Sequence, residues 1–183
     1  MPQLNWNNEL SEQLAWHWQA QLRPRLTGLT DAEYLWEPVP GAWSLVPPDR
    51  VRTSEHAGQG ELVFEVEWPE PSPAPVTTIA WRIGHLLFGV FGLRNARYFD
   101  GPPVEFGTYR YPVTAAEALD RLDQEYDRWI NGVAGLGEDG LTQRCREPHF
   151  ESSSMAGLVL HIHREIIHHG AEIALLRDLY AWR

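Results

Sequence analysis

Residues 155–180 read MAGLVLHIHREIIHHGAEIALLRDLY, and the serines at 152–154 just before them offer hydroxyl oxygens to cap a helix. At helical spacing Met155, Leu158, Val159, Ile162, Ile166, Ile173, Leu176 and Tyr180 fall on one face, which marks a helix that buries an apolar stripe. Two polar residues interrupt that stripe. His169 sits in its middle and Glu165 at its edge, one turn away, so an imidazole and a carboxylate both face the interior. An ionised carboxylate there is costly unless it is paired or bound to a metal ion.

A second segment has the same oddity. TTIAWRIGHLLFGVFGLRNARYF, residues 77–99, is introduced by Pro75 and Thr77, is apolar nearly all round and is stopped by Gly101 and Pro102. His85 lies inside it, with Gly89, Gly92 and Ala96 on roughly its side, where small residues let another helix come close. If that neighbour is the last helix, His85, Glu165 and His169 converge from two facing helices, as bundle-core metal sites do. Three N and O ligands, with the other positions left to water, are the pattern of a reactive site for Zn, Ni, Fe or Mn.

Taken singly, each residue has a plainer alternative. His85 fits a hydrogen-bonded core histidine, and Glu165 fits an ion pair with Arg82 or Arg164. Arg82, one turn before His85, is placed either for such a pair or to orient an anionic substrate, and His168 is a candidate for supporting a ligand from behind. His161 and His163 are expected in solvated or capping roles, and His17, His56 and His149 carry no chemistry. Tryptophans 36, 43 and 81 line a pocket or fill the core. Cys145, between Arg144 and Arg146, has electropositive surroundings, but a buried inert thiol is the plainer reading.

Two further helices complete the pattern. Residues 5–26 carry apolar residues at helical spacing, with Pro24 bending or ending the helix near its last turn. Thr114 and Glu117 form a capping box that opens an amphipathic helix over 115–136, followed by a Gly-rich polar loop over 135–151. Residues 49–76 are irregular: a polar turn, the strand-like ELVFEVEW, then a Pro-rich run, which together suit a hairpin or a partner-covering flap. The expected fold is therefore all-α, a four-helix bundle with an irregular insertion between helices one and two.

With 183 residues, 43% of them hydrophobic and nine tryptophans, the chain suits one domain over 1–183. A formal charge of -10 without basic clusters excludes nucleic acid as a main partner. A single cysteine excludes both an internal disulfide and a thiolate metal cluster. No secretory leader or membrane-spanning stretch is evident, so a cytoplasmic protein without a membrane partner is expected.

The PGAWS loop at Pro40–Ser44, the TIAWRIGH start of helix two and REIIHHGAEI in the last helix together resemble the DinB/YfiT-like superfamily of metal-binding four-helix bundles, over most of the chain. Many members use three histidines, one on the second helix and two spaced H-x-x-x-H on the last; here Glu165 takes the first place of that pair. This His, Glu, His variant is similar to the mycothiol-dependent maleylpyruvate isomerases. The resemblance implies that His85, Glu165 and His169 are the ligands, most simply of zinc, and that a metal-bound water or low-molecular-weight thiol is the reactive species. Those isomerases carry an additional C-terminal domain, and this sequence ends at Arg183. The leading expectation is a metal-dependent enzyme of the thiol S-transferase or hydrolase type, in which the ion polarises a thiol or water for attack on a small electrophile. The alternative is a non-enzymatic stress-response module with a structural or vestigial metal site, homodimerising through apolar residues of the 61–75 insertion.

Overall fold

The computed structural model describes residues 4–148 and 151–183. In chain order they form α1 (Trp6–His17, continued by a π-helical stretch Trp18–Leu22 and a last turn Arg23–Arg25), the short α2 (Asp31–Tyr34), and strands β1 (Leu45–Val46), β2 (Glu55–Ala57) and β3 (Val63–Val66). Then come α3 (Ile79–His85, π-helical Leu86–Gly92, then Leu93–Tyr98), α4 (Ala115–Thr142) and α5 (Met155–Ala181). The fold is all-α, with the four long helical segments as the bundle and the small sheet inserted between α1 and α3, as expected. No helix among the described residues is long and apolar enough to cross a membrane.

Each long helix starts where a short polar side chain takes up a free backbone N–H. Asn5, Thr78, Thr114 and Ser154 accept from the N–H groups of Asn8, Trp81, Glu117 and Gly157. The expected capping box differs in one bond: the Glu117 carboxylate accepts from Val113 N–H at 3.0 Å instead of returning to Thr114. In α4, Ala118, Leu122, Tyr126, Trp129 and Val133 recur every three or four residues and are buried. Tyr126 stacks flat on Trp18 of α1, ring centroids 4.0 Å apart. Arg23 clamps the same pair of helices through Asp123 at 2.7 Å.

Two expectations about helix continuity are corrected. The Gly-rich loop expected from Gly135 is helical to Thr142, apart from Gly137, whose φ of 64° only a residue without Cβ adopts readily. That bend lets the last turn bury Leu141 and bring the Glu138 carboxylate to Trp6 N–H at 3.0 Å, so tertiary contacts override the local signal. In α3 the chain widens into π-helical turns after His85, and Leu93 N–H reaches back five residues to the Phe88 carbonyl. Gly92 packs so closely on the Leu87 carbonyl that a Cβ would collide with it.

The strands are antiparallel in the order β1-β3-β2, with Leu45 opposite Phe64 and His56 opposite Glu65. β3 is therefore central. Within the strand-like stretch of residues 61–75, both edges of β3 itself are paired in the sheet. Its Glu65 is fully buried. One oxygen accepts from Arg52 N–H at 2.9 Å and Arg52 Nε at 3.0 Å; the other accepts from Ser44 N–H at 3.0 Å and Arg52 Nη2 at 2.7 Å. Burial by itself raises the Glu65 pKa, but the hydrogen bonds from Arg52 and Ser44 more than reverse this and hold it below the ordinary carboxylate value.

Arg52 also forks onto Glu37, at 3.0 Å to each oxygen, so one guanidinium ties the loop before β1 to the sheet. Glu65→Ala is expected to lower stability by about 3 kcal/mol, since it takes the acceptor from the Ser44 and Arg52 N–H groups and the buried carboxylate from Arg52, whereas Glu37→Ala at the exposed end costs under about 1 kcal/mol. Because the Glu65 pKa is depressed in the folded state, its contribution is present above the ordinary carboxylate range and is lost as pH falls through the folded value. Urea unfolding of both variants across acid pH checks the ranking and the sign, and equal losses at the two positions would refute it.

Candidate metal centre

α3 and α5 pack against each other and bring His85, Glu165 and His169 together: one ligand atom from each lies within 4.8 Å of the others. His169 Nε2 and Glu165 Oε2 are 3.5 Å apart. Two ligands about 2.0–2.2 Å from one tetrahedral ion are separated by about 3.4 Å, so this pair is already spaced for a shared cation. The His85 and His169 rings meet edge to face, centroids 4.8 Å apart. The sequence-expected trio thus converges from two helices.

The protonation of His169 follows from what lies behind it. Its Nδ1 is 2.7 Å from a Glu172 carboxylate oxygen, which can only accept, so Nδ1 carries the hydrogen and Nε2 keeps its lone pair on the Glu165 side. Arg82 Nη1 comes within 3.3 Å of the same Nδ1, but a guanidinium has no lone pair to offer, and its partner is Glu172 at 3.1 Å. The ion pair expected of Arg82 is formed with Glu172 instead of Glu165, which places Arg82 behind His169. Glu172 was missed in the sequence reading, although it stands one helical turn beyond His169.

His85 is held differently. Its ring stacks on Trp81, 5.6 Å away at 13°, and Gly89 lies against it: a Cβ there would sit 3.3 Å from His85 Cε1 and Nδ1. The expectation that small residues on this face admit the neighbouring helix is therefore corrected for Gly89, which makes room for the imidazole. On α5 it is Gly170 that allows close approach, to Leu22 of α1. Trp81 is fixed in turn by its indole N–H, which donates to the Glu65 carbonyl at 2.8 Å, and by a stack on Phe64. Trp43 meets Trp81 at a tilt, ring centroids 6.5 Å apart, while Trp36 packs edge-on against Tyr180.

Burial, with the charges of His169, Arg82 and Arg94, pushes the His85 pKa down to about 3. Burial also lowers that of His169, against the opposing pull of Glu172. Both imidazoles are thus neutral, as metal ligands must be. Glu165 is a quarter exposed; its other oxygen faces His161 Nδ1 at 3.5 Å and Arg164 Nη2 at 3.6 Å.

The remaining histidines divide. His168 is largely exposed and touches Glu172 at 3.5 Å, which makes His168, His169 and Glu172 a second set of adjacent ligand types. In that set Glu172 is already neutralised by Arg82. His163, expected in a solvated or capping role, is buried edge-on against Trp129 because this side of α5 packs on α4, and burial lowers its pKa to about 4. His149 lies outside the described residues. Cys145 is buried, in line with an inert thiol.

A family model described as the DinB superfamily matches residues 63–173, more than half of the chain and all of the candidate ligands. No match is found among curated proteins or solved structures. Since His85 titrates near 3 when folded and near 6.5 when unfolded, its imidazole resonances should keep their neutral positions down to about pH 4 in a heteronuclear NMR titration. Movement of His85 resonances near pH 6 in the folded protein would contradict the burial.

Proposed function

We propose that this chain, which belongs to the DinB superfamily, is a divalent-metal-dependent enzyme of the thiol S-transferase or hydrolase type. One observation carries the reading: a neutral imidazole oriented by a carboxylate, a second neutral imidazole and a partly exposed carboxylate converge from two helices. The donor set fits such an ion without thiolates, and zinc is the simplest occupant, with Ni, Fe or Mn also suited to N and O ligands. His85 Nε2 or Nδ1, Glu165 Oε2 and His169 Nε2 would hold it. A cation bound there would lower the pKa of a water or low-molecular-weight thiol that reaches it, for attack on a small electrophile.

The chain's own residues set the conditions for that chemistry. The Arg82–Glu172 pair fixes the His169 tautomer and makes its Nε2 a better donor. Trp81, itself stacked on Phe64, covers one face of the His85 ring. Glu165, open to solvent, marks the side from which a substrate enters.

Elemental analysis of protein purified without chelator or affinity nickel should find near-stoichiometric metal in the wild type and little in His85→Ala or Glu165→Ala/His169→Ala, all remaining helical by circular dichroism. Glu172→Ala should weaken metal binding about 10–100-fold by chelator competition while leaving the three ligands in place. Equal, negligible metal in wild type and variants after reconstitution would overturn the proposal.

A further inference from the structure

Two cavities lie along α3 and α5, each lined by residues that neighbour the candidate ligands. The larger, ≈ 630 Å³, is walled by Trp36, Leu175, Leu179 and Trp182, and its polar floor is Arg82 and Glu172. That floor lies on the Nδ1 side of His169, whose hydrogen is already given to Glu172, so this cavity faces the back of the imidazole. The smaller, ≈ 260 Å³, is lined by Arg94, His161, Arg164, Ser153 and Glu147 among others. It lies beyond Glu165, on the side of the oxygen that faces His161 and Arg164.

Charge favours an anion in the smaller cavity. Arg94 folds back along its own helix to donate to the Gly89 carbonyl, which brings its guanidinium toward His85; its charge is felt at both His85 and His161. Arg94 and Arg97 share the single carboxylate of Glu147, at 2.9 Å each, so two cations face one anion. The Nε–H of Arg94 is buried without a hydrogen-bond partner among the described residues. Arg164 adds a second guanidinium at the rim, mostly exposed, with its Nη2 2.5 Å from His161 Nδ1 and 3.6 Å from Glu165. A cavity of this size takes the head of a small acid and is smaller than an ordinary drug-sized site.

We infer that Arg94, His161 and Arg164 form an anion-recognition subsite that seats the carboxylate of a small acidic substrate beside Glu165, with the substrate's electrophilic carbon toward His85 and His169. This rests on the metal-enzyme reading for its catalytic meaning, but the binding itself does not require the ion. Bidentate guanidinium–carboxylate pairing supplies the recognition, and the Glu147 carboxylate keeps Arg94 in place without cancelling the pair of arginines.

Calorimetric titration with succinate, and with its uncharged diamide as control, tests the subsite on zinc-loaded and metal-free wild type, on Arg164→Gln, on Arg94→Gln and on Glu165→Ala/His169→Ala. Metal content and circular dichroism are measured on every sample. The expected result is saturable, salt-sensitive succinate binding to both forms of the wild type, weakened about tenfold or more by Arg164→Gln, with no binding of the diamide. Arg164 is exposed, so that variant should fold even if loss of Arg94 disturbs Glu147. Retained binding in the Glu165→Ala/His169→Ala protein would uphold the subsite even if that protein and the wild type both prove metal-free, which would sink the metal reading alone. Binding that needs zinc and is indifferent to both arginine substitutions would assign the carboxylate to the ion and overturn the subsite. So would absence of succinate binding from a folded, zinc-loaded wild type.

Discussion

Two imidazoles and a carboxylate in a helix seam that is otherwise apolar are the constraint around which the rest of this molecule is arranged. Polar groups in such a place must be neutral, hydrogen-bonded or bound to an ion. The structure uses the first two devices in sequence: burial keeps His85 and His169 uncharged, and Glu172, itself neutralised by Arg82, fixes which nitrogen of His169 holds the proton. What remains unsatisfied points inward to a common place, and that residual demand is the physical content of the metal reading.

The insertion between α1 and α3 serves this seam from a distance. Glu65 fastens Arg52 and Ser44 through its carboxylate, and through its carbonyl it fixes the Trp81 indole, which stacks on His85. Thr78 both caps α3 and meets the Ser44 hydroxyl at 2.9 Å, so the start of α3 is set by the loop that precedes the sheet. A stretch that reads as an irregular interruption of a bundle is thus a support for one ligand. Its exposed apolar residues are few, Trp68 and Val76 among them, while Leu62, Val63 and Phe64 are spent on the core.

The bundle and its three inward polar residues were legible in the sequence, because helical periodicity, caps and the isolated placement of His85, Glu165 and His169 on apolar faces are local properties of the chain. Glu172 carried a readable signal as well, one turn past His169, but a glutamate on a helix flank looks like any solvated residue until its partner is known. That partner, Arg82, lies 90 residues earlier in the chain, and spacing along one helix says nothing about which cation on another will meet it.

Sequence by itself therefore determined the helices, the faces they bury and the residue types available for ligation, since these depend on periods of a few residues. Tertiary structure alone decided the His169 tautomer, the stacking of Trp81 on His85, the centrality of β3 and the helical course past Gly137. Each of these arises from contacts between segments remote in sequence, whose energies are comparable with local preferences and are set by which surfaces the packed helices happen to oppose.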